Sequence, residues 1–575
     1  MALLREFDPL SDDILFDVGH QAYTYKLLTG RWNQFSTLRQ KNGISGYPDP
    51  RESKYDKFIS GHSSTALSTA MGFAIEKRLH RDDSYTIAIV GDGALTGGES
   101  YEALNNIGHL GLNIIVILND NDMSISKNVG SMARLLSRMR SSKLYHRLKW
   151  KYKRLWLKLG FFGRFVIAFT EKIKDMIKEF LYSKMIFEEM GFTYLGPIDG
   201  HEIGEMSEIM NRAKRYKKPV ILHVFTKKGK GFSCVENDPV KYHSSPPFII
   251  EKKDFKTTRS DNSYSEIFGK TLVKLAEKDE KIIGLTAAMS EGLHMKEFSD
   301  RFPNRFFDMG ITEQNIVTVS GALAQKGMKP IVGIYSTFLQ RGYDQIIHDC
   351  CILSLPVIFA IDRAGAVSDD GPTHQGYFDI AFLNPIPNTV LLSPSSADEL
   401  EKMLKWAFCS AKQPIFIRYP KTTASFHTYP NPIELGISVL VQPGKDGYML
   451  VLGSFMETAK KTIEILKEKG LDIGLVDVRF AKPFDQEMVL RLIDQTGFLI
   501  TLEDGVLTGG FGSQVLSFLN TNHRLQPGSL LSFGLDSQFL PQMKRAQILA
   551  KNGLQPEQMA ETIWSQKNEY NKKGE

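Results

Sequence analysis

Short continuous apolar runs, separated by stretches of helical spacing, organise most of the chain. Thr86 to Val90, Ile114 to Leu118 and Val220 to Phe225 are rich in β-branched residues and end in Gly, Asn or Thr. Runs of this kind fit strands buried on both faces of a parallel sheet. The segment between the first two has the length and spacing of a helix, so residues 85–121 form a β-α-β unit. Further runs at 281–287, 330–335, 356–362, 389–392 and 414–418 predict a second sheet, and those at 448–453, 473–478 and 498–503 a third. A shorter strand begins at Ile14 and leads to His20, and a small-residue helix runs from Thr65 to Ala74 behind GHSS at 61–64. The polar stretch from Ser244 to Asn262 reads as a linker. No repeat with a period of 20–50 residues is visible. The expected fold is α/β, with three successive parallel-sheet domains at 1–250, 263–429 and 440–575.

Charge changes this picture at one place. The 575 residues carry a formal charge of +6, yet Ser124 to Thr170 holds twelve Lys/Arg and no Asp/Glu, which leaves the rest at 6 − 12 = −6. The basic pI therefore belongs to one insertion, 127–185, and nucleic-acid binding is not expected. The insertion reads either as a helical cover with solvated Lys and Arg or as a segment lying on an anionic membrane surface. Its apolar residues form no clean single face, which favours the cover. The four cysteines, Cys234, Cys350, Cys351 and Cys409, show no CxxC spacing and are expected as reduced thiols in a cytoplasmic protein. No apolar run approaches a membrane span, and the acidic opening residues are not expected to be a signal peptide.

The β-α-β unit carries chemistry at its strand ends. GDG at 91–93 closes the first strand, and Asn119-Asp120-Asn121 closes the second. Ligands of open parallel sheets sit beyond the carboxyl ends of the strands, so Asp92 and Asn121 face one crevice. Two oxygen ligands suit Mg²⁺, which keeps its other positions for water and phosphate oxygens. Gly91, Gly93, Gly97 and Gly98 let backbone N–H groups approach a diphosphate at a helix N-terminus. A GDG alone is compatible with a plain tight turn; the Asn-Asp-Asn at the next strand end points to a ligand. The pair resembles the thiamin diphosphate motif. That resemblance implies Asp92, Asn121 and the Met123 carbonyl as holders of Mg²⁺ and the cofactor diphosphate.

Further segments resemble, in order and over nearly the whole chain, the 1-deoxy-D-xylulose-5-phosphate synthase family: DVGHQAY at 17–23, GHSST at 61–65, GDGALTGG at 91–98, YSTFLQRGYDQ at 335–345, DRAG at 362–365 and DGPTHQG at 370–376. The resemblance implies a transketolase-like thiamin diphosphate-binding fold, a homodimer, and condensation of pyruvate with D-glyceraldehyde 3-phosphate with loss of CO₂. This is the first step of non-mevalonate isoprenoid synthesis, and it also feeds thiamin and pyridoxal synthesis. It implies that thiamin diphosphate and Mg²⁺ bind between the first two domains. Glu313, in GITEQ at 310–314, would be the acid that serves the aminopyrimidine ring, and Phe338 would stack on that ring. His20, His374, His243, Asp370 and Arg341 are the other implied catalytic residues. His20, Gly61, His62, Ser63, Gly93, Ala94 and Lys228 are implied at the cofactor. Tyr335, Arg363 and Arg418 are implied at the acceptor phosphate, where charge-assisted donors are needed.

Departures are visible. Asn315 stands where the family has His, and Lys421 follows Tyr419-Pro420 where Arg is usual; neither is expected to be the acid or a principal phosphate donor. The family's Gly-Gly-His segment lies upstream of the residue at which this chain begins. This leaves open a truncated, weakly active or non-catalytic paralogue, or another transketolase-like enzyme. The opening residues, with the spacing of a helix end, are expected to leave apolar surface bare.

Overall fold

The computed structural model describes residues 1–121, 186–239, 242–243, 249–251, 254–256, 262–367 and 369–574. Met123 and the insertion 127–185 lie outside the described residues. The chain divides into two compact units: residues 1–36 with 46–257, and residues 37–45 with 258–575.

In the first unit, β1 (Asp13–Phe16), β2 (Thr86–Gly91), β3 (Ile114–Asp120), β4 (Thr193–Asp199) and β5 (Val220–Phe225) form one sheet in the order β1-β2-β3-β5-β4. Every neighbouring pair is parallel. Alternate residues explain the continuous apolar runs. Ala88, Val90, Val116 and Leu118 pack against the helices Ala66–His80 and Gly98–Leu110, while Ile87, Ile115 and Ile117 pack against Met206 and Met210 of the helix Ile203–Ala213. Each such buried side chain contributes about 1.5–3 kcal/mol relative to exposure. A hairpin, β6 (Ile249–Glu251) with β7 (Asp254–Lys256), follows within the unit.

The opening helix, Ala2–Glu6, is covered only in part: Leu3 and Leu4 are half-buried, while Met1 and Leu10 stay exposed. Ala2 and Phe7 are buried, and Phe7 meets Tyr85 edge to face at 5.5 Å. Lys214 donates to the Glu6 carbonyl and lies over the Phe7 ring, so a cation closes the helix C-terminus where the backbone dipole favours one.

The second unit holds two sheets. The larger contains β8 (Ile282–Thr286), β9 (Phe306–Asp308), β10 (Lys329–Tyr335), β11 (Ile358–Asp362), β12 (Val390–Leu392) and β13 (Ile415–Arg418). The smaller contains β14 (Val439–Gln442), β15 (Gly447–Val451), β16 (Ile473–Asp477), β18 (Leu499–Val506) and β19 (Leu530–Leu535), while β17 (Phe480–Lys482) leaves it to pair antiparallel with β12. The orders are β17-β12-β13-β11-β10-β8-β9 and β14-β16-β15-β18-β19. In the larger sheet β10 ends at Tyr335, β11 at Asp362 and β13 at Arg418, so three strands deliver polar residues at one carboxyl edge.

Candidate active site

The β2–β3 register pairs Gly91 with Asn119 and brings the two strand ends level. Asp92 is buried at the end of β2: Oδ1 accepts the Gly93 N–H at 3.0 Å and Oδ2 accepts the Asn121 N–H at 3.2 Å. One carboxylate thereby fixes its own turn and the neighbouring strand end. A Cβ built on Gly91 or on Gly98 meets nothing within 4 Å, so the backbone there is open to an approaching group. Among the described residues no cluster of three or more His, Cys, Asp or Glu could hold a metal. A carboxylate beside a carboxamide is the donor set of a hard cation that keeps waters and phosphate oxygens, so these residues fit a Mg²⁺-bound diphosphate.

At the end of β1, Asp17 accepts the backbone N–H groups of Ser64 at 2.8 Å and Ala66 at 3.2 Å. It anchors the turn that carries Gly61, His62 and Ser63. Val18, which follows, sits at φ 56°, a left-handed conformation that a β-branched residue adopts only under strain. The strain lies immediately before Gly19-His20. The His20 and His243 rings are 5.4 Å apart, and Lys228 Nζ is 2.5 Å from His243 Nδ1. Burial, Lys228 and His20 together push His243 down to about 3, and burial lowers Lys228 to about 8 against the opposing pull of Asp92. His20, His243, Lys228 and Asp92 are thus brought into one electrostatic group.

In the second unit Glu313 opens the helix Glu313–Gln325 and is buried. Among the described residues its Oε2 has no hydrogen-bond partner, and that oxygen forms an ion pair with Arg341, with Nε 3.6 Å away. Burial raises the Glu313 pKa; Arg341 opposes it. A buried carboxyl oxygen without a hydrogen bond is costly unless a ligand supplies one, so this residue fits a ring nitrogen that shares a proton. Phe338 stacks on Tyr335 with centroids 5.8 Å apart and meets His374 edge to face at 5.7 Å. Thr373 Oγ1 lies 2.9 Å from His374 Nδ1, and Asp370 pairs with Arg39. Arg39 belongs to the 37–45 segment and carried no signal in the sequence.

The phosphate residues separate. The Arg363 guanidinium lies 3.7 Å over the Tyr335 ring, and Arg363 holds φ 58°. Lys421 exposes more than a third of its surface, yet it is pulled down to about 8, chiefly by the Arg363 charge beside it. We attribute that shift to the neighbouring cation more than to burial. Two adjacent cations beside a tyrosine ring are a set that could hold an anion, and Lys421 is part of that set although it departs from the expected arginine. Arg418 does not belong. It is fully buried, its Nε donates to Asp379 at 3.0 Å, and its Nη1 donates to Asp504. Its charge is already used inside the protein. Arg363→Ala is expected to weaken a phosphorylated substrate by about 1.5–3 kcal/mol, read as a rise in KM. Arg418→Ala is instead expected to cost about 3–5 kcal/mol of stability by leaving buried carboxylates unpaired, read by denaturant unfolding.

Residues 261–425 match the pyrimidine-binding domain of transketolase and residues 436–559 match the transketolase C-terminal domain. With the parallel sheets described above, these define a protein of the transketolase class. Residues 1–226 match the 1-deoxy-D-xylulose-5-phosphate synthase model. Synthases of that name from Desulforudis audaxviator, Caldanaerobacter subterraneus and Natranaerobius thermophilus are 44%, 45% and 42% identical to the chain over 574, 565 and 567 residues. The alignments cover 99%, 98% and 98% of this chain and 89%, 90% and 90% of those relatives. The chain belongs to the 1-deoxy-D-xylulose-5-phosphate synthase family.

Proposed function

We propose that this chain is a transferase that condenses pyruvate with D-glyceraldehyde 3-phosphate, releases CO₂ and forms 1-deoxy-D-xylulose 5-phosphate. The observation that carries this reading is the buried Glu313 oxygen that has no hydrogen bond among the described residues, in a chain whose relatives at 42–45% identity bear the synthase name. When bound, thiamin diphosphate supplies the carbon nucleophile and the electron sink for decarboxylation. Asp92 and Asn121 would hold Mg²⁺ and with it the diphosphate, and Lys228 adds positive charge beside Asp92. The Met123 carbonyl is a further proposed metal ligand. Glu313 would hold a proton for the pyrimidine ring, and Phe338 would offer that ring an aromatic face.

His20, His243 and His374 would act at the carbonyl oxygens of donor and acceptor, His20 and His374 by moving protons. Lowered toward about 3, His243 would stay neutral near pH 7 and serve as a hydrogen-bond partner rather than as a proton acceptor. Arg363, Lys421 and Tyr335 hold the acceptor phosphate. Among the described residues no helix is long and apolar enough to cross a membrane. We further propose a homodimer working in the cytoplasm.

The test is CO₂ release from pyruvate that requires the phosphorylated aldehyde, with the product identified by mass and NMR. Release without the aldehyde, or a product lacking the acceptor carbons, overturns the reading. The Lys421 environment adds a pH prediction. A lysine lowered to about 8 keeps its charge below that pH and loses it as pH rises through it. The KM for the phosphorylated aldehyde is therefore expected to climb above about pH 8, and Lys421→Arg is expected to flatten the climb. A parent profile that matches that of Lys421→Arg would remove Lys421 from the phosphate site.

A further inference from the structure

The loop from Ala364 to Gln375 carries Asp370 and His374, and the C-terminal part of the chain grips it at both ends. At the base, Gly365 and Gly376 exchange backbone hydrogen bonds of 2.7 and 2.9 Å. Beneath them lies Asp504 of β18. Gly365 holds φ +77°, and a Cβ there would stand 2.9 Å from the Asp504 carboxylate, so only glycine lets the strand approach. Arg418 ties Asp504 to Asp379, just beyond the loop, and Tyr419 next to it accepts the Ala364 N–H at 3.0 Å.

The tip is gripped by Gln542. Its Nε2 donates to the Gly43 carbonyl at 2.9 Å, and a Cβ on Gly371 would meet its atoms at 3.3–3.6 Å. Gly43 lies in the same segment as Arg39, which pairs with Asp370, whose chain neighbour is Gly371. One side chain from the C-terminal region thus touches both strands of chain that make the Arg39–Asp370 contact.

We propose that Gln542 is a positioning residue for Asp370 and His374, the tip of a clamp whose base is the Arg418–Asp504 pair. It acts through the loop and holds no substrate atom. The inference rests on the proposed reaction for the role of the loop, and its test includes a readout that does not.

The experiment compares the parent holoenzyme with Gln542→Ala, Gln542→Glu, Asp370→Asn and the double variant Gln542→Ala/Asp370→Asn. Gln542 is a partly exposed loop residue, so its variants are expected to fold; Gln542→Glu keeps the length but cannot donate to Gly43. Both single Gln542 variants are expected to lose roughly 10- to 100-fold in turnover, the scale of a small misplacement of catalytic groups, with cofactor affinity unchanged. On the Asp370→Asn background Gln542→Ala is expected to add no further loss, because both changes disable one unit. Amide hydrogen exchange over 37–45 and 364–376 is expected to speed up in both variants, whatever reaction the enzyme runs. Full turnover in the Gln542 variants, a loss that adds in full to Asp370→Asn, or unchanged exchange overturns the proposal. A parent that makes no product while exchange still responds to Gln542 overturns the reaction and leaves the clamp standing.

Discussion

Glu313→Gln is expected to fold as the parent does and to lose roughly 10²- to 10⁴-fold in turnover, the span attributed to a positioned proton donor or acceptor. Burial favours the neutral form of Glu313, so a neutral amide of the same shape replaces it at little cost in packing. What the amide cannot do is give and take a proton at the position of Oε2, which has no hydrogen bond among the described residues. The lost step is activation of the cofactor, and exchange of its C2 proton followed by NMR reads that step apart from substrate binding. Exchange at the parent rate in Glu313→Gln would clear the residue of the role. The stability side has a definite sign. A carboxyl whose pKa is raised on folding stabilises the fold while protonated and ceases to do so as pH rises through the raised value. The Gln variant cannot ionise, so its melting temperature is expected to gain on the parent's as the medium becomes more alkaline.

Much of the architecture was legible because the central strands are buried on both faces. Ile114 to Leu118 and Ile358 to Ile361 have no solvent side, so the sequence shows an unbroken apolar run. The short edge strands escaped for the opposite reason. β14 alternates between buried and exposed positions over only four residues, β9 is three residues of partly exposed chain, and β4 is broken by Gly196-Pro197. β17 could not be read as part of the larger sheet, because its partner β12 lies far away in sequence.

The positions of Asp92, Asn121 and Glu313 at strand and helix ends were legible because each sits within a compact motif. The site was not legible where the deciding partner is remote. A strand-end arginine looks the same in sequence whether it reaches a substrate or an internal carboxylate; Arg418 finds Asp504 across 86 positions, and Arg39 finds Asp370 across 331. Lys421 was passed over because it departs from an expected arginine. Its significance lies in the Arg363 charge beside it, which the fold alone supplies.

Asp92→Ala is expected to remove metal-dependent binding of thiamin diphosphate, and the reason lies in the two tasks of one carboxylate. Asp92 brings the negative charge of the pair; Asn121 brings only a dipole, and a hard dication bound through few protein ligands depends on charge. Asp92 also holds the Asn121 N–H at 3.2 Å and the Gly93 N–H at 3.0 Å, so its loss loosens the second ligand with the first. The buried Gly93 N–H left unpaired costs about 1–3 kcal/mol and the half-buried Asn121 N–H less, which lowers stability without removing the sheet that β2 and β3 share. The affinity loss is expected to exceed about 100-fold, close to 2.8 kcal/mol at tenfold per 1.4 kcal/mol. Asp92→Asn separates the tasks, since an amide oxygen still accepts one of the backbone N–H groups but carries no charge. If charge dominates, Asn is nearly as damaging as Ala; if alignment of Asn121 dominates, Asn recovers most of the affinity. Titration calorimetry with Mg²⁺, and again after chelation, makes the measurement, and the chelated parent is expected to resemble Asp92→Ala. Equal cofactor affinity in parent and Asp92→Ala, with metal present, would mean that the cation is not held at the end of β2.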